Sequence, residues 1–417
     1  MSCNKCGWTA TKYTQEVVMI SVGIDVSKGK STACAIKPCG EIVVSPFEFQ
    51  HKETDLKSLC DMFRRMNDEI RIVMEATGIY HLPVATYLIE HGVFVSVVNP
   101  YEMKQYRTRG LRKVKTDRAD SMMIAGYGID YWYSLKAFQV SQDVYAELRV
   151  LSRQYRHHMQ LRISALLGLT HLLDYTMPGI KRELKGWNED NGKDKLGDFV
   201  DKYWHYDNIT KMSEFKFIDH YCKWAEKKGY HQNQSKAAKI YSMAKEGIPT
   251  LPANQTTKML VHEAVEVLRR VNQTLNTILA RMKELAKSLP EYPVVREMGG
   301  VGEKLAPRLI ADIGDVRRFH NSKALVAFAG IDAPPYQSGQ FVGTERHISK
   351  RGSSAIRKTG YEVMRSLKSH KEPEDSAVYH FILKKEAEGK PKKVAKIAGL
   401  NKFLRIYYAR VQEVYSE

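Results

Sequence analysis

The sequence predicts an N-terminal α/β domain on a mixed sheet, then a long helical coiled-coil linker, then a mainly helical C-terminal region. Three observations predict this. Between residues 17 and 100, short Val- and Ile-rich runs alternate with segments whose apolar residues recur at three and four, the periods of buried strands and amphipathic helices. Between residues 261 and 289 an apolar seam runs without a break. Beyond Pro290 and Pro293 shorter helical patterns return, punctuated by Gly and Pro.

V-V-M-I-S-V-G-I-D is a continuous apolar run ending in Asp25, as expected of a strand buried on both faces. S-T-A-C-A-I and E-I-V-V-S-P-F-E-F flank a Pro38-Cys39-Gly40 turn and read as a hairpin. Residues 54–66 have helical spacing, and I-R-I-V-M-E is a strand ending in Glu75. Residues 81–91 read as a helix, and V-F-V-S-V-V-N-P as a strand stopped by Pro100. Three strands, helix, strand, helix, strand is a mixed α/β order rather than a repeat, and it matches the ribonuclease-H-like arrangement. Residues 101–118 carry seven Lys or Arg against two acids, with Tyr101 and Tyr106 interleaved. That segment reads equally as a solvated loop or as one that tracks phosphates. A helix is expected from 116 to about 128.

Residues 144–175 read as one long helix closed by Pro178-Gly179. Residues 180–254 read as a polar and aromatic insertion with Trp187, Trp204 and Trp224 but no chemical motif. In the seam, Val261, Ala264, Leu268, Val271, Leu275, Ile278, Met282, Leu285 and Leu289 alternate steps of three and four, the pattern of a coiled coil. The partner is either the 144–175 helix or another copy, and the expectation taken is self-association into a dimer or tetramer. E-M-G-G-V-G-E-K-L is a glycine turn entering a helix, near Ala306 or kinked by Pro307. Gly300 and Gly302 are candidates there for close approach to a phosphate.

The 417 residues carry 65 Lys and Arg against 47 Asp and Glu, a net charge of +18. An excess of this size points to a polyanionic partner, nucleic acid before membrane. No apolar run reaches the ~18 residues of a membrane span, and the first twenty residues lack a signal-peptide pattern. The six cysteines form no regular framework, and the lone C-x-x-C at Cys3 and Cys6 has no second pair to complete a zinc site. A reduced, cytoplasmic chain is expected, and an extracellular enzyme or membrane protein is excluded. From Gln340 to the end there are seventeen Lys or Arg against nine acids, so the excess gathers beyond that point and in the 101–118 arm.

The chemistry points to carboxylates. Asp25 and Glu75 both end apolar strands, and K-T-D-R-A-D places Asp117 and Asp120 on one face at a helix start. Four carboxylates gathered together raise one another's pKa values unless cations neutralise them. Mg²⁺, or Mn²⁺ in its place, suits such a set because it takes oxygen ligands and bridges phosphate oxygens. For any single member the plainer reading is a strand end or a helix cap. G-I-D-V-S-K-G-K-S also resembles the first phosphate loop of sugar-kinase and actin-like ATPases. The second phosphate loop and the adenosine motif those need are missing, and K-T-D-R-A-D is left without a role.

V-G-I-D-V-S-K, M-E-A-T-G-I-Y, V-V-N-P, K-T-D-R-A-D, G-G-V-G, A-L-V-A-F-A-G-I and Q-S-G occur in one order along the chain. Together they resemble the DEDD transposases of the IS110 family of insertion sequences, with relatives among the pilin-gene invertases. The resemblance covers about residues 19–370 and is weakest over 180–254. It implies a RuvC-like domain holding Asp25, Glu75, Asp117 and Asp120 as a Mg²⁺ site, a coiled-coil linker, and a C-terminal domain with a serine nucleophile. The family's Ser-Gly motif falls on Ser338-Gly339. The resemblance further implies a bridge-type guide RNA pairing with donor and target DNA, and a nucleoid-associated enzyme of a prokaryote. The domains expected are an extension over 1–18, a RuvC-like metal domain over 19–140, a linker over 141–292 carrying the insertion, and a transposase domain over 293–417.

From the residues alone, Ser-Gly after two prolines is an ordinary turn. Ser349, Ser353 and Ser354 stand as rivals, among Arg346, His347, Lys350 and Arg351. A serine attacking DNA needs a base or metal to take its proton and cations to steady the phosphorane charge. Arg346, Lys350 and Arg351 are candidates for the latter, and His347 for a proton shuttle or a phosphate donor. Lys104, Arg107, Arg109, Arg112, Lys113 and Lys115 are candidates for backbone contacts. The function expected is an RNA-guided DNA recombinase. A metal-dependent nuclease or Holliday-junction resolvase using water is the first alternative, and a silent nucleic-acid-binding protein the second.

Overall fold

The computed structural model describes residues 19–66, 68–108, 116–138, 143–188, 192–333, 347–369 and 377–416, together with the backbone of 337–338 and 341–342. The 1–18 extension, with its C-x-x-C, lies outside the described residues. The chain divides into two compact units, Met1–Val140 and Ser141–Glu417.

In the first unit, β1 (Met19–Val26), β2 (Lys30–Ile36) and β3 (Ile42–Gln50) form the antiparallel meander, and β4 (Glu69–Glu75) and β5 (Phe94–Val98) complete the sheet. Its order is β3-β2-β1-β4-β5, with β1–β4 and β4–β5 parallel, which is the ribonuclease-H-like order expected. The Pro38-Cys39-Gly40 turn holds as a short 3-10 turn, with Cys39 and Gly40 both at positive φ. The parallel crossovers are α1 (Glu53–Arg65) and α2 (His81–Glu90). Helix α1 has Leu56, Leu59, Cys60 and Phe63 buried on one stripe, with acids in its first turn and Arg64 and Arg65 in its last, as its dipole favours. Residues 100–107, expected as loop, are instead a helix, α3 (Pro100–Arg107). Asn99 accepts a hydrogen bond from the Tyr101 amide at 2.9 Å, Pro100 sits in the first turn, and Met103 is buried. One buried apolar residue per two turns is too sparse to show as periodicity. Helix α4 (Asp117–Asp130) starts where Thr116 accepts from the Ala119 amide.

Strand parity divides the sheet into two faces. Ile20, Val22 and Ile24 of β1 and Ile72 and Met74 of β4 join the core formed with α1 and α2. Gly23 of β1 and Val73 of β4 face the other way, against α4. Asp25 and Glu75 share the parity of that second face.

The second unit is organised by α5 (Asp143–Thr176), closed as expected at Pro178-Gly179. The 180–254 insertion folds as α6 (Ile180–Glu183), α7 (Lys195–Tyr203), α8 (Asp207–Thr210), α9 (Glu214–Lys227) and α10 (Gln234–Glu246). The seam helix, α11 (Gln255–Lys287), packs directly on α5. After it come α12 (Tyr292–Glu297), α13 (Leu305–Ile313) and α14 (Ser322–Ala329). The two-residue strands β6 (Gln337–Ser338) and β7 (Phe341–Val342) precede α15 (Ser354–Ser369), α16 (Ala377–Ala387) and α17 (Lys392–Val414). Helix α13 begins at Leu305, so Pro307 falls in its first turn, where the missing N–H costs nothing.

Helices α5 and α11 run antiparallel and carry a core at each end. Leu169, Leu173 and Met177 of α5 meet Val261, Val265 and Leu268 of α11 among the insertion helices. Tyr145, Leu148 and Tyr155 meet Leu275, Met282 and Ala286 among the C-terminal helices. Buried Glu291 ties the second core together: Tyr145 donates to its Oε1 at 2.6 Å and Tyr415 to its Oε2 at 2.5 Å. Of the two partners expected for the seam, the one seen is the helix of the same chain, α5. Val261, Leu268, Leu275, Met282 and Leu289 are buried within the chain, and so are Val265, Asn272 and Ala286 one position further round. The buried stripe is therefore wider than a two-helix seam, and α5 already covers it. Asn272, 1% exposed, sits mid-stripe and accepts from Arg162 Nε at 2.7 Å.

Candidate active site

Each carboxylate reaches the α4 face by a local rule. Asp25 and Glu75 follow Ile24 and Met74, which are register partners in adjacent parallel strands, so the two acids leave the sheet side by side. Asp117 and Asp120 occupy the first turn of α4, where acids favour the helix N-terminus. What brings that turn down is the absence of side chains at the crossing. A Cβ on Gly23 would stand 2.1 Å from the Ser121 carbonyl oxygen and 2.3 Å from the Ala125 amide nitrogen. A Cβ on Gly128, further along α4, would stand 2.0 Å from Ser21 Oγ. Gly23 belongs to the V-G-I-D motif, but its part in seating α4 is visible only in three dimensions. Replacing Gly23 by Ala is expected to displace α4, because backbone rather than a movable side chain blocks the methyl. The predicted cost is about 1–3 kcal/mol, read as an earlier denaturation midpoint together with loss of catalysis by a correctly expressed protein.

The four acids are coupled. The Asp25 carboxyl is pushed up to about 6, first by burial, then by repulsion from Asp120, Asp117 and Glu75, while Arg107 pulls it down. Burial also raises Glu75, with Arg107 opposing and Asp120 adding to the shift. Arg107, an expected backbone contact, has a partner inside the domain: its guanidinium lies 3.4 Å from Asp120 Oδ1. Thirteen residues separate that pair in sequence, so no local pattern announces it. Among the described residues no three His, Cys, Asp or Glu side chains converge closely enough to hold a metal ion. By charge and oxygen-donor type the set fits a hard divalent cation, which would relieve the repulsion that raises Asp25.

In the second unit, Ser338 lies in β6, its backbone paired with Phe341; its side chain, Gly339 and Arg346 fall outside the described residues, as do Arg109, Arg112, Lys113 and Lys115. Lys104 is exposed on α3. His347 and Lys350 are exposed, the latter at φ 53°, and Arg351 precedes α15. Two rival serines have local partners. Ser349 donates to Asp332 Oδ1 at 2.5 Å, and Ser353 accepts from the Ile356 amide at 3.3 Å at the start of α15. Gly300 is a packing glycine: at φ 81° it lies against α15, where a Cβ would stand 2.7 Å from the Val363 carbonyl oxygen. Gly302 is exposed just before α13, with open space around it.

A family model for DEDD transposases of the IS110 type, described as "Transposase", matches residues 22–178, which include all four carboxylates. A second, described as "Transposase IS116/IS110/IS902 family", matches residues 292–380, which include Ser338. Together they span more than half of the chain. The chain belongs to the IS110 transposase family. This IS110-family chain is 24% identical over 393 residues to the "Pilin gene-inverting protein" of Moraxella bovis, covering 94% of the chain and 95% of that protein. It is 21% identical to "Insertion element IS110 uncharacterized 43.6 kDa protein" of Streptomyces coelicolor, covering 83% of each. Among solved structures, "T. thermophilus RuvC in complex with Holliday junction substrate" superposes over 29% of the chain and 99% of that protein, at 14% identity and a TM-score of 0.23. As an IS110-family transposase the protein is a DNA recombination enzyme with a ribonuclease-H-like sheet domain. Among the described residues no helix is long and apolar enough to cross a membrane.

Proposed function

We propose that this transposase moves its own insertion sequence by serine attack on DNA, guided by a bridge-type RNA from the element. What supports the reading is that Asp25 and Glu75 end neighbouring strands on the sheet face that α4 covers, that Asp117 and Asp120 stand in the first turn of α4, and that all three neighbours add to the shift that raises Asp25. Those four residues would hold Mg²⁺. When bound, it supplies positive charge to the non-bridging oxygens of a scissile phosphodiester and makes the phosphorus more electrophilic.

The chain's own residues do the rest. Ser338 Oγ bonds to phosphorus as the bond to the 3′-oxygen breaks, leaving a phosphoserine link and a free 3′-hydroxyl. The serine proton ends on that 3′-oxygen. A 3′-hydroxyl from the exchanged strand then attacks the phosphoserine, restoring the phosphodiester and returning the proton to Ser338. One phosphoester bond is made for each one broken, so no nucleotide triphosphate is consumed. Arg346, Lys350 and Arg351 are cations suited to the charge that develops on the phosphorane. Lys104 and the 109–115 cations are suited to the flanking backbone, giving binding that weakens with salt by roughly one counterion per phosphate.

The test is reconstitution with donor and target DNA, Mg²⁺, and RNA transcribed from the element's end. Joined product is expected only with that RNA, and altering its pairing segments should redirect the target. Joining that ignores the RNA sequence removes guidance from the reading. Cleavage without joining favours the metal-dependent nuclease.

A further inference from the structure

The insertion, which sequence left without a motif, lines with α5 and α11 an open cavity of about 930 Å³, within the ~300–1,000 Å³ range of ligand pockets. Most of its lining lies between 179 and 291, outside both family matches. Among the described residues seven cations line it, Arg162, Lys181, Lys185, Lys193 and Lys195 among them, against one carboxylate, Asp194. That carboxylate is already engaged: it is buried and caps α7, accepting from the Gly197 amide at 2.9 Å. The cations are also held in place. Buried Asn272 fixes Arg162. Lys195 donates to the His231 carbonyl at 3.2 Å, and the Lys193 and Lys195 ammonium groups approach the Tyr230 ring to 5.7 and 5.4 Å. Burial and the neighbouring Lys236 lower the Lys195 pKa. Trp187 adds a half-buried aromatic surface to the wall.

We infer that this cavity is a binding site for a single-stranded stretch of nucleic acid, with phosphates on the lysines and an unpaired base against Trp187. One small anion engages two or three cations, whereas a polynucleotide backbone engages many in succession. A duplex is too wide to enter a cavity of this volume, while an unstacked base suits an aromatic wall. An acidic peptide would use the charge but leave the aromatic surface without a role. Neither Ser338 nor any of the four carboxylates lines this cavity, and the inference does not rest on their roles.

The test uses the full chain and a fluorescein-labelled strand of about 12 nucleotides as RNA, as DNA and as blunt duplex DNA, with poly-glutamate as competitor. Lys193→Glu/Lys195→Glu and, independently, Lys181→Glu/Lys185→Glu are expected to weaken single-strand binding at least tenfold. Each pair should flatten the salt dependence by about 1.4 in log–log slope, two single-strand phosphate contacts. Trp187→Ala is expected to lose about 5- to 150-fold, together with the crosslink that a 5-iodouracil strand forms to the 186–197 peptide. Lys245→Glu/Lys258→Glu carries the same charge change on exposed positions outside the cavity and should weaken binding less than about twofold, within the small effect of a screened surface charge. The ratio of RNA to DNA affinity identifies which single strand the site takes. Equal weakening by cavity and control pairs, equal binding of duplex, equal competition by poly-glutamate, or a crosslink that maps elsewhere would each overturn the inference. If one cavity pair fails to fold, the other decides.

Discussion

Ser338→Ala is expected to abolish the protein–DNA adduct that forms when a nicked suicide substrate traps a covalent intermediate. Removing a nucleophile that acts in concert with its partners costs on the order of 10⁴–10⁶-fold, so strand joining should fall below detection. DNA binding should stay within a few-fold of the parent, because the hydroxyl is one small group among many backbone contacts. Ser349→Ala is the necessary companion, since Ser349 already donates to a carboxylate, Asp332, at 2.5 Å and carries the geometry of an activated hydroxyl. An adduct that survives in Ser338→Ala and disappears in Ser349→Ala would move the nucleophile there. Cleavage in both variants without any adduct would assign the attack to water.

Asp25→Asn should separate catalysis from stability. Turnover is expected to fall by about 10²–10³-fold or more, the scale of losing one electrostatic contributor at the reacting centre. Metal-free stability should move the opposite way. Asp25 titrates at about 6 in the folded protein because burial and three neighbouring acids disfavour its charge, whereas an unfolded aspartate titrates near ~3.9. The folded state therefore binds this proton more tightly. Its stability declines as pH rises from about 4 through 6 and stays lowered above that. A full conversion of the shift gives about 3 kcal/mol, and solvent screening of a half-buried group reduces it to about 1–2 kcal/mol. In EDTA at pH 7 the Asn variant should thus unfold at higher denaturant than the parent, and the two should converge near pH 4. A variant less stable than the parent at pH 7 would show that the Asp25 carboxylate makes net favourable contacts, against the coupling described above.

Much of the first unit is legible in sequence because its rules are local. A continuous apolar strand, a hairpin turn and an amphipathic helix each declare themselves within about ten residues, and the order of elements then leaves few sheets to choose from. The DEDD carboxylates are legible for the same reason, each ending a strand or starting a helix. Residues 100–107 misled because a short helix held by an Asn99 cap and one buried methionine presents mostly charge to the reader. The seam was legible as a stripe but not as to its partner. Apolar spacing states that a face is buried, while its neighbour depends on where the rest of the chain returns.

By itself the sequence determined the element order, the four acids at element ends, the likeness to IS110 transposases and the concentration of positive charge. Tertiary structure alone decided the rest. It seated α4 on β1 through Gly23 and Gly128, set Arg107 against Asp120, gave Gly300 to packing, paired α11 with α5, and gathered the lysines of the insertion round one cavity. The division has a physical reason. Strand parity, caps and helical stripes are set by neighbours a few residues away. Close backbone approach, ion pairing and cavity lining depend on distances between groups that the chain separates by 13 residues or by more than 100, as with Arg162 and Asn272.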